Sequence, residues 1–136
     1  MKMLFGNEKG MILPLTALLI PVYIGLMGLL VDIGFMGANY FKLANGVDSA
    51  VYAALDGYDR DTWQNEGVIV IDSYKAQQLA NQYLHANVTG ATVTRFEISN
   101  SSVIMEARMT SPVFFMRFFG ISDRTITASA EASLVE

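Results

Sequence analysis

Cysteine is absent from this chain, and histidine occurs once, at His85. Without thiols there is no disulfide framework, no thiolate metal site and no thiol nucleophile, and a lone histidine leaves no pair for a histidine-based metal site. Charge is scarce as well, at 16% of 136 residues against about 25% in ordinary globular domains. The shortfall is local, because Gly10 to Val31 holds no Asp, Glu, Lys, Arg or His. Nine basic against thirteen acidic residues give a net charge of −4 with no basic cluster. The electrostatic footprint of a nucleic-acid binder is therefore missing, and no nucleic acid is expected as a partner.

What is present is apolar: 52% of the residues are hydrophobic. As a helix, the charge-free run spans about 33 Å, close to the hydrocarbon thickness of a bilayer. It is longer than the ~7–15-residue core of a secretory signal. Leu29-Leu30-Val31-Asp32 offers no small-x-small cleavage site, so a retained segment is expected. Lys2 and Lys9 precede the run and only Lys42 follows closely. The positive-inside rule then places the N-terminus in the cytoplasm and the C-terminal part outside. Pro14 and Pro21 fall within the run, where each removes a backbone donor.

Beyond Asp32 the chain stays apolar to Phe41, and Leu43, Val47, Ala50, Val51, Ala54 and Leu55 then recur at helical spacing. The expected organisation is a cytoplasmic-side leader (1–9), one long hydrophobic then amphipathic helix (10–56) and a small head (57–136). Small residues line the helix at Gly25, Gly28, Gly34, Gly37, Ala38, Ala44, Ala50, Ala53 and Ala54. Glycine costs about 1 kcal/mol in a helix interior, so this many points to close helix approach or to the glycine content common in membrane helices. Asp32 sits at the edge of the apolar span, either in the headgroup zone or facing a partner.

In the head, Gly67 to Ile71 reads as a short strand or an extended lead-in. Asp72 or Ser73 caps a helix to about Ala86, with Tyr74, Leu79, Tyr83 and Leu84 on one side. Residues 91–98 and 102–110 read as a hairpin around Asn100-Ser101. That loop pairs Ile98 with Val103, Phe96 with Met105 and Arg95 with Glu106. A shift by two would oppose Arg95 with Arg108 and Glu97 with Glu106, which like-charge repulsion disfavours. After Pro112, Phe114, Phe115, Phe118 and Phe119 surround Arg117, with Phe115 and Phe119 spaced as one face of a short helix packed on the sheet, or else as a subunit contact. A last strand, 125–134, alternates Ile126, Ala128, Ala130, Ala132 and Leu134 with polar residues, and its alanines leave room for the long helix. The fold class is α+β and pilin-like: a long N-terminal helix, then a small head with a second helix and an antiparallel sheet of three or more strands.

Two stretches carry a family likeness. Asp32-Ile-Gly34 followed by Leu43-Ala-Asn45-Gly-Val-Asp48-Ser-Ala50-Val-Tyr-Ala53-Ala54 resembles the signature of TadE/TadG-like proteins of Tad (Flp-type) pilus systems. Val113-Phe-Phe-Met-Arg-Phe-Phe-Gly-Ile121 with Thr125-Ile-Thr-Ala-Ser-Ala-Glu-Ala132 is similar to that family's phenylalanine-rich loop and closing strand. The resemblance implies a structural, non-enzymatic subunit without cofactor or metal. Its implied partners are copies of itself or other pilin-like subunits, the assembly platform of the inner membrane, and the lipid bilayer before assembly. Gly25, Gly28, Asp32, Gly34, Gly37, Leu43, Asp48, Ala50 and Ala54 are the expected helix-packing residues. Phe114, Phe115, Arg117, Phe118 and Phe119 are expected to pack in the head or touch another subunit. The competing expectation is a monomeric, membrane-anchored binding module facing the periplasm or the exterior.

No catalytic pattern emerges. Asp59 and Asp61 fall in a polar loop, His85 lies on a helix surface, and no nucleophile, phosphate-loop or metal-ligand spacing occurs. Asn87-Val-Thr and Asn100-Ser-Ser match the glycosylation triplet, though Asn100 serves more simply as a turn residue. Tyr58 and Trp63 read as an interfacial anchor or as head packing.

Overall fold

A computed structural model describes residues 8–99 and 101–134. Residues 1–7 of the expected leader, and Asn100 as turn residue or glycosylation acceptor, lie outside them. One uninterrupted helix, α1 (Glu8–Leu55), runs through both Pro14 and Pro21. It is long and apolar enough to cross a membrane, which is compatible with anchoring there. Then come α2 (Arg60–Glu66), α3 (Ser73–Asn87), β1 (Thr92–Ile98), β2 (Ser102–Ser111), a short 3-10 helix (Met116–Phe119) and β3 (Arg124–Ser133). The strands form an antiparallel sheet in the order β1-β2-β3. This is the expected α+β layout of a long helix and a small head.

The head has no core of its own. Leu43, Val47, Ala50, Val51 and Ala54 of α1 are buried together with Ala76, Ala80 and Leu84 of α3 and with Val103, Met105, Ala107, Ala128 and Ala132 of the sheet. The second half of α1 is thus the centre of the head, packed against α3 and against β2 and β3. Many of these residues are alanine, which contributes little apolar area but lets backbones approach. At Gly57 an added Cβ would stand 2.6 Å from the Ala76 backbone nitrogen, so only glycine admits α3 there. The small residues of this half serve contact within the chain.

The hairpin register is as expected from Ile98↔Val103 through Arg95↔Glu106. Before Arg95 it slips, and Val93 pairs with Ala107. Strict alternation from Ile98 and Phe96 would put Thr94 and Thr92 on the same inward face; the bulge instead turns Val93 inward and leaves both threonines exposed. The Arg95 guanidinium does not bridge to Glu106; it donates to Glu97, two residues along its own strand, at 2.7 and 2.8 Å. Glu106 instead accepts from the Thr94 hydroxyl at 2.7 Å.

Two further expectations need correction, and one left open is decided. The polar stretch after α1 is not all loop, because Asp59 caps α2 by accepting from the Asp61 N–H and the Thr62 hydroxyl. Of the two readings of residues 67–71 the structure has the lead-in to α3, with a single bridge between Tyr58 and Ile71 and no strand. Asp72 does cap α3, but the inward face is Ala76, Ala80 and Leu84, while Tyr74 and Tyr83 point outward. The small residues win the inner face because α1 lies too close for a tyrosine ring.

Candidate assembly surface

From Gly10 to Lys42 only Gly28 and Asp32 are buried, and one segment, the chain from Ser111 to Phe119, accounts for both. Asp32 receives the Phe114 N–H on Oδ1 at 2.9 Å and the Met116 N–H on Oδ2 at 2.6 Å. A buried carboxylate loses its hydration at a cost of several kcal/mol, and charge-assisted bonds of this length are what offsets it. The partner of Asp32 is therefore the backbone of its own chain, neither a headgroup nor a cation of another subunit. One turn earlier, a Cβ on Gly28 would lie 2.3–2.9 Å from the Phe115 side chain, so glycine makes the seat for that ring. One turn later, Phe35 meets Phe114 edge to face at 5.5 Å. The Asn39 amide then donates to the buried Ser111 hydroxyl at 2.8 Å.

Gly28, Asp32, Phe35 and Asn39 fall on one stripe of α1 that continues into Leu43, Val47, Ala50 and Ala54. Phe35, Asn39 and Ser111 were not anticipated. The signal was available, since stepping back from Leu43 by fours and threes reaches Asn39, Phe35, Asp32 and Gly28 in turn. It was obscured because a glycine, an acid and an amide do not look like an inward face.

The loop is also tied to itself. Arg117 pairs with Asp123 at 2.8 Å, and the same Asp123 oxygen accepts the Val113 N–H at 3.2 Å. The guanidinium, and then the amide, hold the Asp123 carboxyl below its ordinary range. The expected face of Phe115 and Phe119 packed on the sheet is not formed. The segment is a 3-10 helix packed on α1, whose tighter turn separates the two rings. Phe115 faces Gly28 while Phe119 is 64% exposed, Phe118 86% and Phe114 52%. Phe119 borders an open apolar groove of about 440 Å³ shared with Pro21, Val22, Gly25, Leu26 and Leu29.

The expected helix-packing residues thus divide. Leu43, Ala50 and Ala54 are buried under the chain's own α3 and sheet, and Gly28 and Asp32 under the loop. Gly25, Gly34 and Gly37 have nothing within 4 Å of a built Cβ, and Asp48 is exposed. Around them Leu13, Leu18, Ile24, Met27, Leu30 and Ile33 are all more than half exposed. Elsewhere Trp63 on α2 is half exposed, and His85 stands on the surface of α3. Among the described residues no cluster of three or more His, Cys, Asp or Glu is placed to hold a metal ion. No protein-family model, curated protein or solved structure matches this chain.

Proposed function

We propose that the chain is a structural, non-enzymatic, pilin-like subunit of a Tad-type pilus system. It waits in the inner membrane with its head outside and then polymerises, or co-assembles with other pilin-like subunits, through the first half of α1. The assembly platform of the inner membrane is its second partner. The observation that carries this reading is the division of α1: its second half is the core of the head, whereas its first half projects as an apolar rod that the chain, over residues 10–42, buries fully only at Gly28 and Asp32. Such a rod has two dry environments available, lipid and a bundle of like helices, and transfer between them keeps its apolar surface out of water. The glycines left open at 25, 34 and 37 give neighbouring helices a close approach. The test is extraction of cells in mild detergent followed by sedimentation and recovery of surface filaments. A subunit sediments with filaments or with the assembly platform; a small detergent particle found in neither identifies the monomeric anchored module instead.

A further inference from the structure

We infer that the loop 113–121 is a second lipid contact, a wedge that seats Phe118 and Phe119 among the outer-leaflet acyl chains beside α1. The inference rests on the proposed insertion of α1 in the membrane before assembly, and the position of the loop then decides the matter. Phe115 lies against Gly28, and Phe119 shares its groove with Pro21 through Leu29, all within the charge-free run from Gly10 to Val31. A hydrocarbon core about 30 Å thick needs about 20 helical residues. Were lipid to stop below the loop, at Ile20, the charge-free residues 10–20 would cover only about 16 Å, half of that core. A helix that spans with this run brings the loop into the bilayer with it.

The chemistry of the loop suits that depth. Irregular backbone enters a membrane only when its polar groups are satisfied inside the protein. The N–H groups of Val113, Phe114, Met116, Phe118, Gly120 and Ile121 all have acceptors within the chain. Two of those acceptors are the oxygens of Asp32, so the one carboxylate at the end of the run serves the loop and stays out of contact with lipid. Phe118 and Phe119 present their rings outward. Arg117, paired with Asp123, has a long enough stem to lift its charge to the headgroups.

The test uses the full chain in vesicles of zwitterionic and anionic phospholipid, with Trp63→Phe removing the single native tryptophan. Phe118→Trp reports on the loop, and Leu18→Trp, also at an exposed position, on the span. Insertion into vesicles should blue-shift Phe118→Trp emission, and lipids brominated near the carbonyl end of the acyl chain should at least halve it, while aqueous iodide leaves it unquenched. If Leu18→Trp is quenched by bromolipid but Phe118→Trp answers only to iodide, the wedge is overturned and the span stands. If neither is quenched by bromolipid, the span falls and the wedge with it.

Discussion

Asp32 is the residue on which the two halves of the molecule meet. Its carboxylate joins α1 to a loop more than eighty residues away in sequence, through two backbone donors. Removing the side chain leaves both part-buried N–H groups without their acceptor, and bonds to a charged acceptor contribute about 1.5–3 kcal/mol each. Asp32→Ala is therefore expected to destabilise the folded chain by about 3 kcal/mol or more. Asp32→Asn keeps one acceptor oxygen, now uncharged, and sets its NH2 against the other N–H, so it should lose more than half as much. Thermal unfolding of the detergent-solubilised variants checks both, and equal stability of all three forms would show that the loop is held by its aromatic contacts alone. The sequence marked Asp32 as unusual but could not name its partner, because a backbone N–H has no side-chain signature.

At the scale of elements, what was legible followed periodicity and charge. Alternation and like-charge repulsion gave the sheet and its central register, and threefold and fourfold spacing gave the inner face of the second half of α1. The bulge at Thr94 and the 3-10 turn at Met116 were missed, since each adds or tightens by a single residue; the bulge leaves only one trace, the three-residue step from Val93 to Phe96 in an otherwise alternating strand. α2 was missed because it is seven residues long and buries none of them, so it has no apolar stripe to find. The glycines of α1 separate the same way, by what stands over them. Gly28→Ala must displace Phe115 and should loosen the loop, whereas Gly34→Ala meets open space and should gain up to about 1 kcal/mol of helix stability. If Gly34 faces a neighbouring helix in a filament, that more stable variant will assemble less well. Unfolding and filament yield measured on both variants separate the two roles.

α2 also carries a pH dependence. The Thr62 hydroxyl lowers the pKa of Asp59 from its ordinary 3.8; desolvation opposes it, and the Asp61 and Thr62 amides and the Lys75 charge add to the lowering, which prevails. A depressed native value means that the cap's contribution is present above the unfolded pKa and is lost as pH falls through the native one. Trp63 emission should thus hold steady from neutral pH down to about 4 and change only below it. Asp59→Ala should show the acid-form signal already at neutral pH.

For the whole molecule the decisive quantity is the distribution of charge along its length. After the apolar run the chain carries twelve acidic and seven basic residues, so every copy presents a negative head on an uncharged rod. Apolar packing of the rods pulls copies together while the heads repel. Exposed charges interact over roughly 10 Å at 0.1 M salt and over about 30 Å at 0.01 M. Polymerisation of the purified chain on detergent removal should consequently rise as sodium chloride increases from about 0.01 to 0.2 M, because screening weakens repulsion but leaves apolar burial intact. Sedimented mass against salt is the measurement. A fall with salt would mean instead that opposite charges on neighbouring heads, such as Arg108 and Glu131 on the outer sheet face, hold the assembly together, and the rods would then be passengers in it. No sedimentation at any salt, with the chain still folded, would leave the first half of α1 a membrane anchor and nothing more.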